Sequence, residues 1–351
     1  MKLLMVTRKV DRNEHLAGFI YEWVKKIGSQ VDQLFVLTWQ EGDSSGLPGN
    51  IKVVSLPTRA NIFVKVLKFE ASFRQYIQDV DGVFCHQMPL YTILAAPFAK
   101  LYRKRIVSWY MHRQIDLKLR LMEKISNVVL SASPESFRLK SKKLVITGRG
   151  IDTDVFKPTP RADVDRFSIV SVGRISPTKD YESMIKAFDI LRDSGQQNLS
   201  LIIAGDVGLE LQRTYFDNLK LMVEKMNLGS MVSFSGPIAH HDVPNFLQTA
   251  DLFINLSGTG SVDKAVLEAM ACGCVVLTSN EAFQSILPGE LMVEKNNPKA
   301  LAEKILWIRS LPSDRRQAMA LNLREEVVRN HNLDTLVRTI INQFRNESKA
   351  A

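Results

Sequence analysis

Residues 251–280 combine residue types and spacings that could bind a ligand carrying both phosphate and hydroxyl groups. The apolar run Leu252–Leu256 ends in a loop of small residues, and the run Val275–Thr278 follows a short helical segment. Strand, Gly-rich loop, helix and strand predict the βαβ unit of an open parallel sheet, with a ligand crevice at the carboxyl end of the strand. The amino terminus of the helix offers unpaired N–H groups to an anion. Glu268, two turns into that helix, is a poor contact for phosphate but a good acceptor for paired sugar hydroxyls.

A second group of polar residues follows an earlier strand and opens a helix. Gly173, Arg174 and Lys179 lie between the apolar run Phe167–Val172 and a helix that Asp180 could cap. Arginine offers a planar fork of donors and lysine a point charge, so two cations beside a helix amino terminus suit a diphosphate. Each charge-assisted hydrogen bond contributes roughly 1.5–3 kcal/mol. The alternative is that both residues are surface charges around a tight turn.

Several common catalytic motifs are missing from the sequence. The first strand is not followed by G-x-G-x-x-G, which counts against a dinucleotide-dependent oxidoreductase, and the chain has no Walker A, H-E-x-x-H or G-x-S-x-G motif. Asp152 and Asp154 form a D-x-D pair, but they lie beside a predicted linker and are interpreted as turn residues. The histidines show no metal-ligand spacing. His112 follows the strand that ends IVSWY, so we expect it at a carboxyl-end crevice, where it is either structural or functional.

Composition and length are those of a globular chain with two domains. The 351 residues are 45% apolar and 24% charged. The amino terminus lacks the apolar core and cleavage site of a secretory signal, and the longest largely apolar stretch is too short to span a bilayer. Cys85, Cys272 and Cys274 form no disulfide framework, which predicts a reducing compartment. The A-C-G-C sequence lacks further metal ligands nearby, so its cysteines are interpreted as small buried apolar residues.

The positive charge is concentrated in the first half of the chain. Of the net charge of +9, residues 1–150 carry 24 Lys and Arg against 12 Asp and Glu, whereas residues 151–351 carry 22 against 25. A basic first half suggests an anionic partner for that half. Nucleic acid, anionic lipid and a phosphorylated sugar all fit, and so does a solvated basic surface with no partner.

Apolar runs of strand length alternate with helix-period segments along the whole chain. The predicted strands are Lys2–Val6, Leu34–Thr38, Ile51–Ser55, Gly82–Cys85, Ile106–Trp109, Val128–Ser131, Leu144–Thr147, Phe167–Val172, Leu199–Ala204, Met231–Phe234, Leu252–Leu256 and Val275–Thr278. The predicted helices include Leu16–Ile27, Asp180–Leu191, Pro298–Ser310, Arg315–Asn330 and Leu333–Phe344. Pro158–Arg166 is polar and proline-bearing and is interpreted as a linker. The alternation predicts two doubly wound α/β domains, over residues 1–160 and 161–351, with a cleft between them.

The ordered set of these segments resembles the retaining glycosyltransferases of family 4, which have the GT-B fold. The resemblance is strongest over residues 167–280, where it rests on SVGRISPTKDYESMIKAFDIL, LIIAGD, VSFSGPI and ADLFINLSGTGSVDKAVLEAMACGCVVLTSN. WYMHR and GRGIDTDVFKP in the first half match more loosely. The resemblance implies two Rossmann-like doubly wound domains with an interdomain cleft, and a C-terminal helix that returns to the first domain.

The resemblance also implies roles for the candidate site residues. Arg174 and Lys179 match the family's diphosphate-binding pair, and Glu268 matches the second glutamate of its E-x7-E motif, which holds the ribose hydroxyls. Gly236–Ile238 match the segment whose backbone meets the nucleobase. His112 matches the first-domain histidine that contacts the transferred sugar.

Two departures from the family pattern affect the predicted site. The first glutamate of E-x7-E falls at Gly260, and Ser261, Asp263 and Lys264 occupy the stretch that is usually glycine-rich. Asp263 could supply the carboxylate from a nearby position, and Lys264 could meet the diphosphate or an acidic sugar. Alternatively, both only decorate the helix start, where Asp is favourable. The paired glycines of the family's first loop are also missing, and Gly18 is the remaining candidate.

Together these features predict an enzyme that moves a sugar from a nucleoside-diphosphate sugar to an acceptor hydroxyl of a glycan or lipid-linked glycan. The family implies retention at the anomeric carbon, and the cationic pocket implies catalysis without an obligatory metal or other cofactor. Nucleic acid is not expected as a partner. The alternatives are a catalytically silent GT-B-like binding subunit, which Gly260 favours, and a sugar-nucleotide epimerase of similar fold.

The basic first domain further suggests an acceptor that is lipid-linked or anionic and is met at the inner membrane surface. Leu90–Arg105 joins apolar bulk to a cationic end, as an interfacial helix would. The other interpretation is a core helix that leads into the next strand. The predicted location is cytoplasmic, either freely or peripherally at the inner membrane surface.

Overall fold

The computed structural model describes residues 1–14, 18–112, 114–160 and 166–345. The chain divides into two compact units: Met1–Asp152 together with His331–Ala351, and Thr153–Asn330. Each unit is built on a parallel sheet, so each places the carboxyl ends of its strands along one edge. None of the described helices is long and apolar enough to cross a membrane.

The first unit contains seven described strands in one sheet. In chain order they are β1 (Lys2–Thr7), β2 (Gln33–Thr38), β3 (Ile51–Ser55), β4 (Gly82–His86), β5 (Arg105–Trp109), β6 (Val128–Ser131) and β7 (Leu144–Ile146), arranged as β3-β2-β1-β4-β5-β6-β7. The helices between them are α1 (Phe19–Gly28), α2 (Ile62–Ile77), α3 (Pro89–Leu101) and α4 (Leu117–Ile125). Neighbouring strands run parallel throughout, as the alternating pattern predicts. The predicted helix start at Leu16 lies outside the described residues.

Helices cover both faces of this sheet, which is why its strands are continuous apolar runs rather than alternating ones. On one face, Trp23 of α1 packs in a cluster with Met5 and Trp109. On the other face, Phe69 of α2 shares a cluster with Ala95 of α3. The sequence pattern is therefore explained by burial on two sides.

The segment Leu90–Arg105 forms most of α3 and the start of β5. Tyr91, Ala95 and Ala99 of α3 lie in the core between this helix and the sheet. This packing favours the core-helix interpretation of the segment over the interfacial one.

A buried histidine lies at the carboxyl end of β4. His86 is fully buried, its Nδ1 lies 2.9 Å from Thr7 Oγ1, and its ring stacks on Trp109 with the centroids 5.3 Å apart. Among the described residues, its Nε2 has no hydrogen-bond partner. Burial, with a further contribution from the charge of Arg149, lowers the pKa of His86 to about 3.

We expect His86 to make the folded protein less stable in acid. The unfolded chain takes up this proton near the ordinary histidine pKa of 6.5, whereas the folded chain resists it until about pH 3, so the free energy of unfolding falls as the pH drops through that window. The slope from this residue is at most about 1.4 kcal/mol per pH unit. Denaturant titrations between about pH 7 and pH 5 should show a flatter profile for His86→Gln than for the wild type. The exposed His241→Gln is the matched control, and equal slopes in both variants would contradict the assignment.

The second unit contains five described strands, also in one parallel sheet. They are β8 (Phe167–Val172), β9 (Leu199–Ala204), β10 (Val232–Gly236), β11 (Leu252–Asn255) and β12 (Val275–Thr278), arranged as β10-β9-β8-β11-β12. The helices are α5 (Tyr181–Asp193), α6 (Arg213–Lys225), α7 (Val243–Leu247), α8 (Lys264–Ala271), α9 (Pro298–Ser310) and α10 (Ser313–Asn330). The strand order reverses between β8 and β11, which marks that position as the ligand crevice of a doubly wound sheet.

The last helix, α11 (Leu333–Arg345), belongs to the first unit although it follows the second one in the chain. Its residues Ile340 and Phe344 lie in the core that contains Trp23. The return of this helix agrees with the predicted fold class. The predicted division after residue 160 followed chain order, so the units differ from it both near the linker and in the placement of the last helix.

Candidate functional site

The predicted donor-binding residues of the second unit lie at the carboxyl edge of its sheet. Gly173 and Arg174 follow β8, the loop from Ser257 to Asp263 follows β11, and Gly236 ends β10. Because the connections leave β8 and β11 in opposite directions, a crevice opens between these two strands. The two groups of polar residues singled out in the sequence therefore flank the same crevice.

Close backbone packing fixes the loop that carries Arg174. Gly205 follows β9 with a φ of +148°, and a Cβ on it would lie 1.8 Å from the Gly173 carbonyl oxygen, so a larger residue would displace this loop. Arg174 is exposed, and its Cδ would lie 2.9 Å from a Cβ added to Gly208. Its side chain therefore runs over Gly208 and remains accessible to an anion.

Lys179 is positioned by a tight turn and by an ion pair. Pro177–Lys179 forms a 3₁₀ turn, and Asp180, at a φ of +48°, caps α5 by accepting a hydrogen bond from the Ser183 N–H. Lys179 is 8% exposed, and its Nζ lies 3.0 Å from Asp263 Oδ2. The turn after β8 thus places this lysine in contact with the loop after β11.

Glu268 lies at the centre of a buried charged cluster. It is 4% exposed, and its Oε1 lies 2.8 Å from His240 Nε2 and contacts the ammonium of Lys264. The Phe156 ring packs on this cluster, with its centroid 5.5 Å from that of His240 and 5.4 Å from Lys264 Nζ. Burial alone would raise the pKa of Glu268, but the Lys264 charge and His240 outweigh it and lower the pKa to about 2. Glu268 is therefore an ionised hydrogen-bond acceptor at neutral pH.

Lys179 and Glu268 both have partners within the protein. A diphosphate at Lys179 would replace the Asp263 carboxylate, and ribose hydroxyls at Glu268 would share its carboxylate with Lys264 and His240. Ligand binding at this crevice would consequently exchange existing ion pairs and hydrogen bonds for new ones.

The loop after β11 has a left-handed backbone conformation at Gly260, the position where the resemblance places a glutamate. Gly260 is buried with a φ of +63°, in the left-handed region that disfavours residues with a side chain. Asp263 and Lys264 stand at the start of α8, but their side chains reach Lys179 and Glu268 respectively. Both residues therefore contact predicted site residues, and their part in ligand binding stays a prediction.

The segment predicted to meet a nucleobase lies at the end of β10. Gly236, at a φ of +80°, accepts a hydrogen bond from the Gly205 N–H, Pro237 is exposed and Ile238 is half-buried. The chain then runs directly to His240, which contacts Glu268. The segment therefore shares the carboxyl edge with the predicted diphosphate pair.

Three residues that shape this site were missed in the sequence. His240 and Phe156 surround Glu268, and the side-chain amide of the buried Asn280 donates to the Ser261 carbonyl at 2.8 Å. No local pattern identifies them, because each contact joins distant parts of the chain. The one available signal was the position of His240, two residues after the VSFSGPI segment.

His112 and Gly18, the other predicted site residues, lie in the first unit. His112 follows β5, is exposed, and accepts a hydrogen bond on Nδ1 from the Gln114 N–H at 3.2 Å. Gly18 is buried and precedes α1 with a φ of −57°, a conformation that is open to any residue. The contact of His112 with a transferred sugar stays a prediction.

The D-x-D pair and the cysteines of the A-C-G-C sequence are the remaining candidate motifs. Asp152 is buried with its carboxylate 3.8 Å from Lys26 Nζ, and Asp154 lies in the turn that follows. Cys272 and Cys274 are buried thiols, and burial raises the pKa of Cys272 far above its usual range. In the part of the chain that the structure describes, no group of three His, Cys, Asp or Glu is placed to hold a metal ion.

Comparison with known proteins places the second unit in a family. The sequence profile of the family described as Glycosyl transferases group 1 matches residues 152–326. The chain is 29% identical over 174 residues to mannosylfructose-phosphate synthase of Agrobacterium fabrum, covering 46% of this chain and 38% of that protein. It is 24% identical over 225 residues to the GDP-mannose-dependent alpha-(1-6)-phosphatidylinositol monomannoside mannosyltransferase of Mycobacterium tuberculosis, covering 57% of this chain and 55% of that protein. These matches span less than two thirds of each relative's length.

The fold is similar to that of a solved protein over almost the whole chain. The crystal structure of Anabaena HepE in complex with UDP and glucose has a TM-score of 0.80 at 16% identity, covering 98% of this chain and 99% of that one. With its two Rossmann-like parallel-sheet units, the protein has the GT-B fold of glycosyltransferases. Over residues 152–326 the chain belongs to the group 1 glycosyl transferases, which confirms the resemblance noted in the sequence.

Proposed function

We propose that the protein transfers a sugar from a nucleoside-diphosphate sugar to an acceptor hydroxyl, with retention at the anomeric carbon and without an obligatory metal. The observation that carries the proposal is the convergence of Arg174, Lys179 and the ionised Glu268 on one crevice of the second unit. Two cations suit a diphosphate, and a buried carboxylate suits the paired hydroxyls of a ribose.

The barrier to this reaction lies largely in the charge that develops on the leaving diphosphate. Preorganised cations stabilise that charge because they need little reorganisation as it forms. Arg174, Lys179 and the amino terminus of α8 would act in this way, with Asp263 releasing Lys179 as the diphosphate arrives. Attack on the same face, assisted by the leaving phosphate, would give retention without a nucleophilic side chain. His112 would contact the transferred sugar.

The acceptor is proposed to be a glycan or a lipid-linked glycan met at the inner membrane surface. The mycobacterial relative is named as a mannosyltransferase acting on a phosphatidylinositol monomannoside. The first 150 residues of this chain carry twice as many basic as acidic side chains. That charge complements an anionic lipid or an anionic acceptor.

The proposal predicts that at least one nucleotide sugar binds and raises the thermal stability of the protein. Thermal-shift and calorimetric titrations should screen UDP-, GDP-, ADP- and TDP-sugars, since a ligand at about 100 times its Kd adds about 2.7 kcal/mol of stability. Arg174→Ala should weaken binding of the selected donor at least about tenfold, because a charge-assisted contact is lost. Arg315→Ala, at an exposed position on α10, is the matched control and should leave binding unchanged.

A catalytically silent binding subunit is the alternative that a structural observation favours. Lys179 and Glu268 are already held by Asp263 and Lys264, so the crevice is internally balanced without a ligand. Under this alternative, none of the nucleotide sugars binds in the screen. A sugar-nucleotide epimerase would instead bind its donor and convert the sugar without an acceptor, which NMR analysis of the incubated donor would reveal.

A further inference from the structure

Three neighbouring helices of the first unit begin at the same edge of its sheet. α2, α3 and α4 follow β3, β4 and β5, and because these strands are parallel, each helix starts at the carboxyl edge. α3 packs against both α2 and α4, so the three helices lie side by side. Contacts confirm the shared edge: Trp39, just after β2, accepts a hydrogen bond from Lys65 of α2 and packs its ring on Tyr91 of α3.

The first turns of these helices expose large apolar side chains to solvent. Phe63 and Leu67 of α2 are 78% and 67% exposed, and Leu117 of α4 is 81% exposed. We call the exposed apolar residues at these helix starts the apolar rim: Ile62, Phe63, Val64, Leu67, Met88, Ile115, Leu117 and Leu121. Single exposed apolar residues need no explanation, but a set gathered at adjoining helix ends marks an interaction surface.

The two halves of α2 bury side chains of opposite character. Its second half buries Phe69, Phe73 and Ile77 against the sheet, as expected for a helix that covers a core. Its first two turns bury Lys65, whose Nζ donates to the Trp39 carbonyl, while Phe63 and its apolar neighbours face solvent. An exposed phenylalanine beside a buried lysine is unfavourable in water and favourable against an apolar phase.

Exposed cations flank the apolar rim. Residues 57–68 expose Arg59 and Lys68 and contain no carboxylate, and α4 exposes Lys118 and Arg120 beside Leu117. The carboxylate of Asp116 is engaged in capping α4, where it accepts a hydrogen bond from the Leu119 N–H. Apolar side chains ringed by cations complement the headgroup region of an anionic bilayer.

We propose that the apolar rim docks the first unit onto an anionic membrane, with Phe63, Leu67 and Leu117 inserted below the headgroups. The inference deepens the proposed function, on which it rests for the lipid-linked acceptor. His112 follows β5 at the same edge of the same sheet, so docking through the rim presents this edge to a substrate in the bilayer. The docking surface is thus formed by the starts of α2, α3 and α4, whereas the cationic end of α3 lies at the opposite edge.

Vesicle co-sedimentation tests the proposal directly. Vesicles of phosphatidylcholine with about 30% phosphatidylglycerol should bind the wild-type protein, and binding should weaken as salt is raised. The double variant Phe63→Glu/Leu67→Glu should bind at least about tenfold more weakly, since two inserted side chains become anionic. The matched control is Leu209→Glu/Leu211→Glu, which alters two exposed leucines of the second unit and should bind like the wild type. No binding of the wild type, or equal loss in both variants, would overturn the proposal.

Two further measurements distinguish membrane docking from the proposed function and from dimer formation. Calorimetric binding of the nucleotide sugar should be unchanged in the rim variant. If the wild-type protein bound the nucleotide sugar but not the vesicles, membrane docking would be rejected and the proposed function would stand. Vesicle binding in a protein that binds no nucleotide sugar would reject the proposed function and leave docking standing. Sedimentation velocity should show the same mass for the wild type and the rim variant, because a dimer lost only in the variant would assign the rim to a second copy of the chain.

Discussion

Replacing Lys179 by methionine is expected to lower sugar transfer by about 100-fold or more, because the leaving diphosphate loses a preorganised cation. Lys179 is almost buried, so its charge acts in a poorly solvated crevice where it is screened less than at the surface. The change leaves most of the side-chain stem in place and removes the ammonium that pairs with Asp263. The measurement is kcat/KM for transfer from the donor that the binding screen identifies, together with a thermal melt to confirm folding.

Two companion variants make this expectation specific. Lys186→Met changes an exposed lysine on α5, the helix that follows the turn of Lys179, and should retain wild-type transfer. Asp263→Asn removes the carboxylate that competes with the diphosphate for Lys179, so it should bind nucleoside diphosphate at least as tightly as the wild type. Wild-type turnover in folded Lys179→Met would remove this lysine from the proposed mechanism. Weaker nucleotide binding in Asp263→Asn would show that Asp263 supports the ligand rather than competing with it.

The sheet framework of both units was predictable because parallel strands covered on two faces must be apolar along their length. Five strands were predicted with the limits that the structure has: Ile51–Ser55, Val128–Ser131, Phe167–Val172, Leu199–Ala204 and Val275–Thr278. The remaining strands differ by one or two residues at one or both ends. The same physics placed Arg174 after the end of β8 and Glu268 on the helix that follows β11. Local pattern was sufficient wherever the determining contacts lie within one βαβ unit.

Contacts between distant segments were not predictable from local pattern. Lys179 and Asp263 are 84 residues apart, and His240 reaches Glu268 only because β10 and α8 end and begin at the same sheet edge. The last helix was expected to return to the first domain, yet the predicted domain limits kept it with the second. Its amphipathic pattern shows that one face is buried but not which sheet it covers.

At Gly260 the structure adds a backbone conformation that the sequence does not reveal. The sequence shows only that a motif glutamate is missing. The left-handed φ of Gly260 shows that this loop has a conformation in which glycine is favoured, so the substitution and the loop shape belong together. Asp263, three residues later, is the carboxylate that this loop directs to Lys179.

Replacing Glu268 by glutamine is expected to affect both stability and transfer, and the two effects can be separated. The ammonium of Lys264 loses its counter-charge in a largely buried cluster, which should cost about 3–5 kcal/mol of unfolding free energy. The ribose hydroxyls would lose a charged acceptor worth roughly 1.5–3 kcal/mol, so donor binding and transfer should fall about 10- to 100-fold. Denaturant titration measures the first effect, and calorimetry with the identified donor measures the second.

The double variant Lys264→Met/Glu268→Gln decides which effect explains the loss. It removes the unpaired ammonium, so stability should return to within about 1 kcal/mol of the wild type. Donor binding should stay low, because the amide cannot replace an ionised carboxylate whose pKa is about 2. If donor binding recovered together with stability, Glu268 would hold Lys264 in place and leave the ribose to another group. If binding stayed low in a stable protein, the carboxylate itself would be the ligand contact, and Lys264 and His240 would serve to keep it ionised and oriented.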